Sequence, residues 1–94
     1  MSYKVMVDSR GNMLDFKVYD TVKRISTDWY STMRVIQLSY EELFTWGFAC
    51  SESLFLSSWE DHIKEGTFSL VEFETFEEVV EYLNDLIFLH ELKK

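Results

Sequence analysis

The chain reads as a small α+β domain. The expected architecture is a mostly antiparallel sheet, an N-terminal β-hairpin plus one or two further strands, with about three helices packed on one face. Three observations carry this. Apolar and polar residues alternate across residues 3–18 around a Gly-Asn pair. Two capping boxes, Ser39–Glu42 and Thr75–Glu78, mark helix starts. The apolar positions that follow them recur at helical spacing. A chain of 94 residues builds one core, so residues 1–94 form a single domain. Eight Phe, five Tyr and three Trp are ample to fill it, which excludes a disordered chain.

Tyr3, Val5 and Val7 alternate with Lys4 and Met6, the pattern of a half-buried strand. Gly11 and Asn12 tolerate the positive φ of a tight turn, and Leu14, Phe16 and Val18 return as the second strand. Residues 20–32 are ambiguous. Val22, Ile25 and Trp29 fit a helical stripe, whereas Thr21, Ser26, Thr27, Ser31 and Thr32 favour strand or loop. The reading adopted is an extension of the second strand followed by a loop holding Asp28, Trp29 and Tyr30. Met33 to Leu38 reads as a third strand.

A helix is expected from Ser39 through Tyr40, Leu43, Phe44 and Trp46, with Gly47 as a break or close-packing point. A second, capped by Ser51, carries Phe55, Leu56, Trp59 and Ile63 and ends at Gly66. Phe68 to Phe73 reads as a fourth strand with apolar residues on both faces. Thr75 then opens the clearest helix, with Phe76, Val79, Val80, Leu83, Leu86 and Ile87 on one side.

Charge is divided by position. Residues 1–38 hold six cations against four acids, whereas residues 39–94 hold thirteen acids against three lysines; the whole is −8. Such a surface attracts basic partners and repels nucleic acid and anionic membranes. No apolar run approaches the roughly 20 residues of a membrane helix, and the first residues lack the apolar stretch of a signal peptide. Cytoplasmic residence is the expectation, and the single Cys50, read as a small apolar residue, excludes an intrachain disulfide.

The terminal helix carries Glu77, Glu78, Glu81 and Asp85, with positions 77, 81 and 85 on one face. Eight residues rise about 12 Å, so the four charges come about every 4 Å. A DNA strand presents one phosphate per roughly 3.4 Å of axis, a comparable line density. Glu72 and Glu74 on the preceding strand extend the row. A solvated helix face is the simpler account; occupation of a phosphate-binding groove is the functional one.

Other chemistry fares poorly. Glu60, Asp61 and Glu65 surround His62, but no paired-His or Cys–His spacing accompanies them, so no metal and no cofactor is expected. Cys50, His62 and Asp61 name the residue types of a thiol triad. Asp61 is adjacent to His62, so on a helix the two point apart, and no Gly-rich turn flanks Cys50. No catalytic residue is assigned, and the chain is expected not to be an enzyme. Lys4, Met6, Lys17 and Tyr19, with Arg34 as a further candidate, would share the sheet face opposite the core, the kind of surface on which single-stranded nucleic acid stacks. The net charge argues against that. Trp29 and Tyr30 sit in the least regular segment, so they are the first aromatics expected to touch a partner, unless they fold over the sheet edge as a plug.

These observations point to an acidic binding protein that inhibits a basic protein, a nuclease or other nucleic-acid-binding protein. Its partner-binding residues would be Glu74, Glu77, Glu78, Glu81, Asp85, Trp29 and Tyr30. In size, acidity and aromatic content the chain resembles, in general character only, small phage counter-defence proteins and bacterial immunity proteins. The absence of proline and the single alanine fit AT-rich coding DNA, an association rather than a physical argument. The alternative is a structural subunit forming homo-oligomers, a homodimer at the simplest, through the basic sheet face and the acidic helix.

Overall fold

The computed structural model describes residues 2–10, 14–31, 39–57 and 59–92. The expected Gly11–Asn12 turn and the whole of the expected Met33–Leu38 strand, Arg34 included, lie outside these residues, and Thr32 with them. The architecture is α+β, and the described residues form a six-stranded antiparallel sheet and four helices.

Strand β1 (Tyr3–Asp8) pairs antiparallel with β2 (Asp15–Asp20), setting Val5 against Val18 and Met6 against Lys17. Its other edge pairs with β6 (Phe68–Phe73), setting Val5 against Val71 and Met6 against Leu70. Because β1 is covered on both faces, Val5, Met6 and Val7 are all buried. The alternation therefore does not separate core from solvent. Tyr3, Val5, Val7, Phe16 and Val18 lie on one face of the sheet, against Leu43, Phe44, Val79, Leu83 and Ile87. Met6 and Tyr19 lie on the other, against Cys50, Phe55 and Phe68. The expectation of helices on one face holds for the first and last of them; the middle two cover the opposite face.

Residues 20–31 depart from the expected strand extension. The buried Asp20 accepts from the N–H groups of Val22 and Lys23 through Oδ1, at 2.9 and 3.1 Å. This Asx turn reverses the chain at once, with Arg24 at φ 55° completing it. The returning segment forms β3 (Ile25–Ser26) and β4 (Tyr30–Ser31), both paired with β2. Between them Thr27 stays on the ladder: its N–H donates to Val18 O, and its hydroxyl accepts from Val18 N–H, both at 2.9 Å. Asp28 and Trp29 bulge away. Strand β5 (Phe48–Ala49) pairs with β3, giving the order β5-β3-β2-β1-β6 with β4 beside β2.

Both cap residues accept as expected, and the reciprocal backbone bond of a full capping box is present at Thr75. Ser39 Oγ accepts from Glu42 N–H at 3.2 Å at the start of α1 (Tyr40–Leu43). That helix is shorter than expected, and Trp46 lies beyond it, 80% exposed. Gly47 ends the segment: a Cβ there would sit 3.0 Å from Phe44 O and 3.3 Å from Ser26 O. The expected helix from Ser51 to Gly66 divides into α2 (Glu52–Ser57) and α3 (Glu60–Lys64). Ser51 caps α2, accepting from Leu54 N–H at 3.2 Å. Gly66, at φ 81°, closes α3 in a Schellman motif: Thr67 N–H donates to His62 O and Gly66 N–H to Ile63 O.

Helix α4 (Phe76–Leu92) begins where Thr75 Oγ1 accepts from Glu78 N–H and Glu78 Oε1 accepts from Thr75 N–H, each at 3.2 Å. Loss of that cap in Thr75→Ala is expected to lower stability by about 1 kcal/mol in urea unfolding. Glu78→Gln keeps the reciprocal acceptor and is expected to change stability by less than about 0.5 kcal/mol.

Candidate functional site

Helix α4 is divided lengthwise. Val79, Leu83 and Ile87 are buried against the sheet. The opposite side presents Glu77, Glu81 and Asp85, all exposed, at positions i, i+4 and i+8. The same line continues through Phe88 (63% exposed) and Leu92 (67%), at i+11 and i+15. One helix face thus carries acids for its first half and apolar side chains for its second. Glu74 is exposed just before the helix. Among the described residues, the ion pairs are Lys4 with Glu52 (2.6 Å) and Glu72 (3.9 Å), and Arg10 with Asp8 (3.1 Å). None involves Glu74, Glu77, Glu81 or Asp85. Glu78 is exposed too, but its carboxylate is occupied by the Thr75 cap. A shallow depression of about 510 Å³ runs beside the row, lined by Phe76, Glu77, Val80, Glu81 and Asn84.

The aromatic candidates are placed differently. Trp29 packs edge-on against Trp59 and Phe68, at centroid distances of 5.4 and 5.6 Å. Tyr30 stacks on Phe16 at 5.7 Å and donates its hydroxyl to Leu43 O at 2.7 Å. Both are half-buried and tie the bulged strand to opposite faces of the sheet, which is the plug alternative read for them from the sequence. The exposed apolar residues, Phe88 and Leu92 among them, were missed. Their signal was available, since counting by three and four from Glu77 reaches them.

The expected open basic sheet face is roofed by α2 and α3. Lys4 is ion-paired with Glu52 at the start of α2. Lys17 is 8% exposed, its ammonium 5.2, 4.7 and 5.1 Å from the ring centres of Trp29, Phe55 and Trp59. It donates to Phe55 O at 3.4 Å. Burial lowers the Lys17 pKa, with Cys50 and Asp28 opposing. Tyr19, its neighbour on the strand, is fully buried, stacks on Phe55 at 5.0 Å and donates to Cys50 O at 2.9 Å. None of these side chains is free to stack on a base.

Burial also raises the Cys50 thiol pKa, the reverse of what an activated nucleophile requires. The His62 ring lies against Phe68 and Trp59, at 4.8 and 6.0 Å. Among the described residues no three His, Cys, Asp or Glu side chains converge as metal ligands. A second depression of about 270 Å³ is lined by Tyr3, Asp20, Val22, Lys23, Tyr40 and Phe76. There Tyr40 donates to Asp20 Oδ2 at 2.8 Å, so both Asp20 oxygens are spent on structure.

No family model matches the chain, and no curated protein and no solved structure matches it either.

Two outcomes follow from the buried groups. Lys17→Met retains the stem's volume and removes a desolvated cation, so urea unfolding is expected to show stability unchanged or raised by about 1 kcal/mol. Lys17→Ala leaves a cavity and is expected to cost about 2 kcal/mol or more. All five tyrosines have raised pKa values, burial being the first cause, with the Asp20 carboxylate adding to it at Tyr40. Their contribution is complete below the unfolded value of about 10 and is lost as pH rises through the folded values. Lys17, with a lowered pKa, acts oppositely between its folded value and about 10.5. Five phenols outweigh one ammonium, so a combined absorbance and circular dichroism titration should show tyrosines ionising together with unfolding above about pH 10.

Proposed function

We propose that this chain is a non-catalytic, cytoplasmic binding protein that inhibits a basic protein by laying the outer face of α4 into a site built for nucleic acid. In this it would act as phage counter-defence and immunity-type proteins do. The observation that carries the reading is the exposed row Glu77, Glu81 and Asp85, without ion pairs among the described residues, preceded by Glu74 and continued by Phe88 and Leu92. Successive acids along the row are separated by a rise of about 6 Å, close to every second phosphate of one DNA strand. Charge of this kind raises the association rate, whereas affinity resides in desolvated anchors. Phe88 and Leu92, rather than Trp29 and Tyr30, are the side chains in position to supply them.

Several features support the reading without identifying a target. No helix is long and apolar enough to cross a membrane among the described residues. Four of the six cations among residues 1–38 are engaged internally, Lys4 on Glu52, Arg10 on Asp8, Lys17 in its aromatic cage and Lys23 over the Tyr40 ring at 4.6 Å, whereas Arg24 is exposed. The surface a partner meets is therefore more uniformly acidic than the sequence suggests. The alternative, self-association through a basic sheet face, needs Lys4 and Lys17 open to a second molecule, and their surroundings do not favour it.

The test is capture of basic proteins from the source cell's lysate, with and without competing DNA, by the wild-type chain and by Glu77→Lys/Glu81→Lys/Asp85→Lys. A target retained at low salt, displaced by DNA and bound at least about 100-fold more weakly by the reversed chain is expected. Phe88→Ala with Leu92→Ala should mainly speed dissociation. Unchanged target binding and salt dependence by a folded triple variant would sink the proposal.

A further inference from the structure

Strand β6 ends the sheet, and among the described residues nothing pairs with its outer edge. Hydrogen-bond parity identifies the free groups. Ser9 N–H donates to Thr67 O at 3.4 Å, one step beyond the Asp8–Phe68 register, so residues 9 and 67 form a hydrogen-bonded pair. Such pairs recur at every second residue of an antiparallel ladder. Ser69, Val71 and Phe73 therefore turn their N–H and C=O groups towards β1, and Phe68, Leu70 and Glu72 turn theirs outward. The opposite edge of β1 agrees: Thr21 N–H donates to Ser2 O, which gives the even residues of β1 to β2.

This edge lacks the usual guards against strand addition. The chain has no proline, the register of residues 68–73 with β1 runs without a bulge, and Glu72 is the strand's only charged residue. An apolar strip lies alongside. Phe73 meets the half-buried Tyr82 at 5.0 Å, and Leu86 and Leu89 (53% exposed) follow at i+4 and i+7 on the same side of α4.

We propose that β6 pairs antiparallel with β6 of a second copy, about a two-fold axis through Leu70, to form one continuous sheet. The outward groups at 68, 70 and 72 are centred on Leu70, so this register satisfies all of them in both copies. It sets Leu70 against Leu70 and Phe68 against Glu72. The Arg10 guanidinium lies over the Phe68 ring, 4.7 Å from its centre, where it would meet the incoming Glu72 carboxylate. A two-residue slip centres the axis on Val71 and leaves the outward groups of Phe68 without a partner within β6. A slip the other way loses hydrogen bonds. The interface is thus self-complementary in one register, as a two-fold contact requires. The Tyr82, Leu86 and Leu89 strips of the two copies would flank the axis, while Glu77, Glu81 and Asp85 stay outward. The proposal is independent of the target-binding reading.

Sedimentation equilibrium of the full chain, from micromolar to millimolar, tests it. The mass should rise from 11.3 kDa to twice that, at lower concentration in high salt, because each copy carries −8. Leu70→Pro removes an outward N–H and no bond to β1, and should weaken the dimer about 30-fold or more through its two symmetric hydrogen bonds. Should that variant misfold, amide exchange on the unmodified chain decides instead: Phe68, Leu70 and Glu72 amides should gain protection as concentration rises. A mass of 11.3 kDa throughout, or a dimer in which those amides exchange as in the monomer, overturns the proposal. Protection of the same amides in a monomer only on adding a lysine–valine peptide would assign the edge to a basic strand and overturn it equally. Reversal of Glu77, Glu81 and Asp85 should leave dimerisation intact, which keeps the two proposals separable.

Discussion

Strand β1 is hydrogen-bonded along both edges and covered on both faces, and the rest of the structure depends on that. Burying each of Val5, Met6 and Val7 is worth roughly 1.5–3 kcal/mol, and it obliges the chain to supply apolar cover on two sides at once. The long α4 and the short α1 provide it on one. On the other, the cover comes from two helices of six and five residues joined at Trp59, too short to be stable alone. They hold because Phe55, Leu56, Trp59 and Ile63 reach down to Met6, Tyr19, Phe68 and Leu70. A surface sheet could have left its second face polar. A central strand bonded on both edges and sandwiched on both faces cannot.

Lys17 shows the consequence most plainly. Its strand position points it at the face that α2 and α3 must cover, so the ammonium is enclosed. Desolvating such a charge costs several kcal/mol. Three aromatic faces, each worth about 0.5–2 kcal/mol towards a cation, and one carbonyl oppose that cost without a carboxylate at ion-pairing distance among the described residues. The balance is close to neutral, which is why the residue is tolerated and why an apolar replacement of equal length is a fair substitute. For function the effect is subtractive: a cation enclosed this way is withdrawn from the surface, and the field outside is left to the acids of the second half.

What the sequence made legible was local. The strands β1, β2 and β6, the Ser39, Ser51 and Thr75 caps, the Gly66 terminus and α4 each carry their signal within a few residues of sequence, and each was found where its pattern placed it. What it hid was tertiary. Asp20 read as an ordinary strand acid, yet its two oxygens bind Val22, Lys23 and Tyr40 and turn the chain where an extension was expected. Trp59 read as one more position on a helical stripe, although it lies between α2 and α3 with its ring stacked on Phe68. The second covered face was invisible for the same reason: alternation in β1 and β2 places Lys4 and Lys17 opposite the core, and nothing in a period of two says whether that side meets water or another helix. Of the candidate site, the acidic row was legible because helical spacing alone defines it. For Trp29 and Tyr30 the sequence left partner contact and a plug over the sheet edge both open, because the bulge that holds both rings in packing is a tertiary feature.

Helix α4 shows how one element can serve core and surface without conflict. Like charges at i and i+4 cost a few tenths of a kcal/mol per pair, small beside the burial of Val79, Leu83 and Ile87 on the inner side, each worth roughly 1.5–3 kcal/mol. The acidic row can therefore vary in sign without threatening the fold, and a binding defect on reversal would report the interface rather than unfolding. The remaining sides of the helix are not equivalent. The line through Phe88 and Leu92 continues the acids outward, whereas the line through Tyr82, Leu86 and Leu89 leans towards the open edge of β6. Self-pairing along that edge would use the second line and leave the first exposed in each copy. A pair would then carry two acidic faces, and a target with two basic sites in matching geometry would meet the second at an effective concentration set by the rigid sheet rather than by diffusion.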